Sequence, residues 1–171
     1  MRHPTRTWLL AVLVLLWAGV VAADELLVPV LQVIDGDTIA VRYRGQRELV
    51  RYTGINAPET NHPTKGEEPG GREATEFNRR LVGDHRVRLE LDVQVRDRYG
   101  RILAYVWVKP ADGGEVMVNA MLLYNGYAQV TTYPPNVTYA AYFRDLEGNA
   151  RLAGRGLWSG SSESGWTTKR R

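Results

Sequence analysis

The chain is expected to fold as an α+β protein, mainly β, in which a five-stranded barrel carries about three helices on its outside. Three observations predict this. Runs at 26–34, 38–43, 48–52, 86–96 and 102–108 have the length and apolar content of strands. Stretches at 72–82, 118–124 and from 138 onward carry apolar residues at spacings of three and four. Helix alternates with strand too rarely for a doubly wound sheet, which leaves a barrel as the arrangement that covers both faces of the strands.

The first two strands are separated by Asp35-Gly36-Asp37, and the third follows the turn signal Arg44-Gly45-Gln46, so the three form a meander. The fourth shows unbroken alternation: Val87, Leu89, Leu91, Val93 and Val95 on one face, and Arg86, Arg88, Glu90, Asp92, Gln94 and Arg96 on the other. Arg98-Tyr99-Gly100 turns it into the fifth, which is apolar on both faces and stops at Pro110. The first helix places Ala74, Phe77 and Leu81 on one side and ends at Gly83, and the second is closed by Asn125-Gly126. The third presents Tyr139, Tyr142, Phe143, Leu146, Ala150 and Ala153, with Gly148 costing it about 1 kcal/mol. This order of elements fits an OB-type barrel.

Composition narrows the class of protein. With 44% hydrophobic and 24% charged residues the chain is ordinary globular material. Arg2, His3 and Arg6 precede an apolar run over 8–22 that closes on small residues, the pattern of a signal peptide over 1–23. The run is shorter than the roughly 20 residues that a spanning helix needs, so cleavage is expected, with a secreted or periplasmic product and no stable membrane association. Removing that leader takes away two arginines and no acids, so the net charge of +3 falls to +1. About 148 residues then remain, of which 24–160 form the folded domain, enough to bury roughly two-thirds of the unfolded surface. The Ser-, Gly- and Lys/Arg-rich stretch 161–171 reads as a flexible basic tail. Cysteine is absent, which excludes disulfide staples and zinc–cysteine modules. Outside the leader, His62 and His85 are the only histidines, which argues against histidine-rich metal sites and a serine–histidine hydrolase.

Asp35-Gly36-Asp37-Thr38 by itself reads equally well as a hairpin turn. It gains meaning from its company: Arg51 on a strand, then Pro58-Glu59-Thr60 and His62-Pro63, then the block from Asp97 to Tyr105, Met117-Val118-Asn119, and Leu157-Trp158-Ser159. With these motifs in this order, from about Leu31 to Trp158, the chain resembles the staphylococcal nuclease (thermonuclease) family. The resemblance implies a calcium-dependent nuclease that hydrolyses phosphodiester bonds of DNA and RNA as a monomer. It implies Asp37, Asn56 and Ala57 as metal ligands, Glu59 as the residue that positions or deprotonates water, and Arg51 and Arg101 as the phosphate grip. Arg98, Tyr99 and Tyr133 match positions that line the family's nucleotide pocket.

The residue types suit that chemistry. Negative charge grows on the equatorial oxygens of a phosphodiester as it is attacked, so cations must already be in place. A hard cation bound by oxygens polarises the phosphoryl group, and guanidiniums supply paired donors. Two positions depart from the family: Asn56 stands where a second carboxylate is usual, with Ala57 beside it in place of threonine, and Thr131-Thr132-Tyr133 keeps one of two pocket tyrosines. These departures support a rival expectation, a catalytically weak or inactive OB-type module that binds nucleic acid or protein. Retention of Asp37, Arg51, Glu59 and Arg101 favours the enzyme.

Overall fold

In the computed structural model, residues 27–60, 66–111 and 113–160 are described, so the leader 1–23, the tail 161–171 and His62 lie outside it. The strands β1 (Leu27–Val33), β2 (Thr38–Tyr43) and β3 (Gln46–Tyr52) form the expected antiparallel meander. After the short β4 (Ile55–Asn56) and helix α1 (Gly71–Val82), strand β5 (Arg86–Arg96) pairs with β1, and β6 (Ile102–Val108) pairs with β5. A parallel seam then closes the barrel, with Val50 against Ile102, Arg51 against Leu103 and Tyr52 against Ala104. The two-residue β7 (Val116–Met117) extends β6, helix α2 (Val118–Tyr124) follows, and β8 (Gln129–Val130) pairs with β4. Helix α3 (Ala140–Leu152) and a 3-10 turn (Gly156–Trp158) complete the chain. An OB-type barrel of five strands with three helices is thus the observed architecture.

The barrel closes because alternate residues of each strand meet inside it. Ile39, Val41, Val50, Tyr52, Val87, Leu89, Ile102 and Ala104 are all buried. Each large side chain among them contributes roughly 1.5–3 kcal/mol through burial. The alternation of β5 continues past Leu89, but the core does not. Leu91, Val93 and Val95 are exposed, because the β5–β6 register jumps from Leu91–Ala104 to Arg96–Ile102 and the end of β5 arches away from the sheet. On α1 the buried stripe is Ala74, Thr75, Asn78 and Val82, with Phe77 and Leu81 at its margin. On α3 only Phe143 and Ala150 are buried, and Tyr142 is half exposed.

The arching end of β5 is tied down by polar contacts. Asp92 accepts hydrogen bonds from the Tyr105 hydroxyl at 2.8 Å and the Thr138 amide at 3.3 Å. Burial raises its pKa, but these bonds and the Val93 amide outweigh that and hold the carboxyl below its ordinary value. A depressed pKa stabilises the fold above the unfolded value, about 4, and the contribution fades as pH falls through the folded value. Asp92→Asn should therefore melt earlier than wild type at pH 7, with the gap narrowing as the pH is taken below the ordinary carboxylate range. Thermal melts at pH 7 and below that range check this.

Candidate active site

Asp37 sits at the start of β2 because the Asp35-Gly36-Asp37 loop is folded tightly onto its neighbours. The Asp35 carboxylate accepts the Asp37 amide at 2.9 Å, and the Asp35 carbonyl accepts the Asn78 side-chain amide, also at 2.9 Å. Asn78, fully buried on α1, in turn accepts the Tyr52 hydroxyl at 2.9 Å. A Cβ on Gly36 would lie 2.5 Å from the Ala57 Cβ and 2.8 Å from that of Ala74, so no larger residue lets the loop approach this closely. Asn78 was not anticipated as part of the site. Its signal in the sequence is a polar residue four positions after Ala74, on the apolar side of an amphipathic helix.

Asp37 is buried, with 4% of the residue exposed, and its carboxylate gathers three partners. Its Oδ2 accepts the Ala57 amide at 2.5 Å and faces Arg51 Nη1 at 2.8 Å, and its Oδ1 accepts the Thr38 hydroxyl at 3.2 Å. Arg51, on the outer face of β3, also donates to Asn56 Oδ1 at 2.8 Å and to the Tyr52 carbonyl at 3.2 Å. Four of the expected residues, Asp37, Arg51, Asn56 and Ala57, thus form one hydrogen-bonded cluster. Glu59 is on the surface, its amide bonded to Glu68 Oε2 at 3.1 Å and its carbonyl accepting the Glu68 amide at 2.8 Å. Burial pushes the pKa of Asp37 up to about 7; Arg51 pulls against this, and the negative charges of Asp35 and Glu59 reinforce it.

Beside this cluster opens a cavity of about 540 Å³, lined among others by Arg51, Asn56, Arg98, Tyr99, Arg101 and Tyr133. Arg101 is held by Asp97, whose Oδ2 accepts its Nε at 2.7 Å and whose Oδ1 accepts its amide at 3.0 Å. Burial acts to raise the Asp97 pKa, but these bonds hold it below the usual range. Among the described residues no hydrogen bond engages the Nη atoms of Arg101. The Tyr99 ring lies under both Arg98 and Arg101, with guanidinium carbons 4.7 and 5.5 Å from its centroid. Opposite, Asn136 braces the loop that carries Tyr133: its Oδ1 accepts the Gln94 amide at 2.7 Å and its Nδ2 donates to the Gln94 carbonyl at 2.8 Å. Gly54 lines the same cavity with φ of +81°, and a Cβ there would strike the Phe143 ring at 2.7 Å.

The donors present suit a hard cation. Asp37, Asn56 and Ala57 offer a carboxylate, an amide oxygen and a backbone carbonyl, with no sulfur or imidazole. The Asp37 carboxylate is buried, and among the described residues Arg51 is the cation that pairs with it. The set is lean: among the described residues no group of three or more His, Cys, Asp or Glu is placed to hold a metal.

The family model described as Staphylococcal nuclease homologue matches residues 49–160. The thermonuclease of Staphylococcus hyicus is 39% identical over 142 residues, covering 83% of this chain and 81% of its own length. That of Staphylococcus intermedius is 39% identical over 127 residues, 74% of this chain and 73% of its own. Endonuclease YncB of Bacillus subtilis (strain 168) is 41% identical over 139 residues, 80% of this chain and 62% of its own. The match of the family model from the middle of β3 to the end of the described chain, together with thermonucleases 39% identical over most of the sequence, shows that the chain belongs to the staphylococcal nuclease family.

Proposed function

We propose that the protein is a calcium-dependent endonuclease that hydrolyses the phosphodiester bonds of DNA and RNA. The observation that carries this reading is the pair of arginines on one cavity, Arg51 anchored on a buried carboxylate and Arg101 on Asp97. Asp37, Asn56 and Ala57 would hold the ion, which supplies Lewis-acid polarisation of the phosphoryl oxygen and an acidified water. Arg51 and Arg101 bind and orient the phosphate, and their donors meet the charge that grows as the bond breaks. Glu59 holds the attacking water and takes its proton at a carboxylate oxygen. Arg98, Tyr99 and Tyr133 frame the nucleotide, the aromatic rings offering stacking surfaces. The leader over 1–23 adds the proposal that the enzyme works outside the cytoplasm, which N-terminal sequencing of secreted material tests.

Cleavage of plasmid DNA and of RNA, with calcium and with chelator, tests the main reading. Fragments that appear with calcium and vanish on chelation are the expected result. DNA binding without cutting in any divalent cation would leave a binding module instead.

Asn56 should set the strength of metal binding. Its side-chain oxygen carries no full charge, so Asn56→Asp should tighten calcium by about tenfold or more, since close charge pairs near a surface are worth one to a few kcal/mol. The new carboxylate would also face Arg51 Nη2, which now donates to the amide oxygen. Calorimetric titration of calcium into the variant and wild type, with a nucleotide analogue present, measures the change. Equal or weaker affinity in the variant removes residue 56 from the coordination set.

A further inference from the structure

The hairpin that joins β2 to β3 carries more positive charge than its folding requires. Residues 42–48 read Arg-Tyr-Arg-Gly-Gln-Arg-Glu. Arg42 and Arg47 are direct cross-strand partners, so two guanidinium side chains stand next to each other on one face. Like charges directly opposed destabilise a strand pair. Among the described residues neither arginine forms an ion pair, and nor does Arg44 at the turn. Arg47 reaches only the neutral Gln32 Oε1, at 3.0 Å, and Arg44 lies over the Tyr43 ring at 5.1 Å. All three are exposed. The one acid of the hairpin, Glu48, alternates onto the other face, where Arg96 occupies both its oxygens at 2.9 Å each. Among the described residues nothing neutralises the pair.

Their position links them to the site. Period-two alternation puts Arg47, Leu49 and Arg51 on the same face of β3. Four residues of strand separate Arg47 from Arg51 by about 13 Å, close to the axial rise of about four nucleotides along one strand of a duplex. Leu49, between them, offers no donor to a base edge, so a strand lying along this face is held through its phosphates and not read by sequence.

We propose that the outer face of this hairpin is a second binding surface for the phosphate backbone of the substrate, with Arg42 and Arg47 engaging phosphates a few nucleotides from the one held at Arg51, and Arg44 extending the track at the turn. The proposal rests on the nuclease reading and deepens it: the substrate is a polymer longer than the cavity, and the affinity gained at the hairpin is independent of sequence.

The double variant Arg42→Gln/Arg47→Gln tests it with two substrates. Binding of a 30-nucleotide DNA single strand is followed by fluorescence anisotropy in chelator, across a salt series, and cleavage of the same strand and of a dinucleotide is followed with calcium. Losing two phosphate contacts should weaken binding of the long strand at least about tenfold at 0.1 M salt and flatten the slope of log K against log salt by about 1.4. The dinucleotide, too short to reach the hairpin, should be cleaved within twofold of the wild-type rate. An unchanged slope and affinity overturns the proposal, and so does an equal loss on the dinucleotide, which would mean that the substitutions disturb the site through the fold. If wild type cuts neither substrate, the nuclease reading fails on its own, and loss of the salt slope in the variant still supports the hairpin as a polyanion surface.

Discussion

Arg51→Lys is expected to lower turnover by about 100-fold or more while moving thermal stability by only about 1 kcal/mol. The geometry separates the two effects. A positive charge at this position compensates the buried Asp37 carboxylate, and lysine retains it. What lysine loses is the planar fork, which here reaches Asp37, Asn56 and the Tyr52 carbonyl at once. A phosphate in the cavity then meets a single mobile ammonium in place of a fixed pair of donors. Arg51→Ala is the harsher change, since it leaves the Asp37 charge buried beside no cation and mixes folding with catalysis. Single-turnover cleavage at saturating calcium, paired with a thermal melt, measures both quantities on the lysine variant. Turnover within a factor of two of wild type would take Arg51 out of the mechanism.

The largest loss of stability from one side chain should come from Asn119→Leu, at about 3–5 kcal/mol. The residue is fully buried at the start of α2. Its Oδ1 accepts the Val106 amide at 2.9 Å and its Nδ2 donates to the Thr53 carbonyl at 2.9 Å. These two groups are left over where the barrel seam runs out. The last backbone bond between the two segments joins the Thr53 amide to the Ala104 carbonyl at 2.9 Å, and the chain then turns away at Gly54. One side-chain amide takes the place of the missing strand. Leucine has a similar volume but leaves a donor and an acceptor buried without partners, and each costs about 1–3 kcal/mol. Most domains are stable by only about 5–15 kcal/mol, so the change is a large fraction of the total. Urea unfolding should show a lower midpoint at unchanged slope. A loss below 1 kcal/mol would show that water or a backbone shift satisfies the two groups.

Strands β2, β5 and β6 were legible in the sequence to the residue, β5 from its alternation and β2 and β6 from short apolar runs bounded by turn residues. The pairing of β4 with β8 was not, since two residues carry no period and their partnership is decided by the loops around them. The exposure of Val93 and Val95 was equally hidden: alternation says which residues share a face, and only the register jump against β6 decides whether that face is covered. In the site, the meeting of Asp37 with Arg51, Asn56 and Ala57 follows from motifs that the resemblance singled out. The support behind them, Asn78 beneath the Asp35 carbonyl and Asn136 beneath the Tyr133 loop, lies in isolated polar residues whose partners are set by the three-dimensional path of the chain.

The parallel seam between β3 and β6 has a consequence for when the protein can act. Every other pairing among the five barrel strands is antiparallel, whereas the seam joins Arg51 to Leu103 across a stretch of chain that includes α1 and β5. Contacts between residues so far apart in sequence must close a long loop before they are rewarded, which slows their formation. The seam is also what brings the segment bearing Arg101 alongside the segment bearing Arg51. A chain with its meander and helices already formed, but with the seam still open, does not hold the two guanidiniums around one phosphate. Cutting activity should therefore appear only once the fold is complete, after the seam has closed.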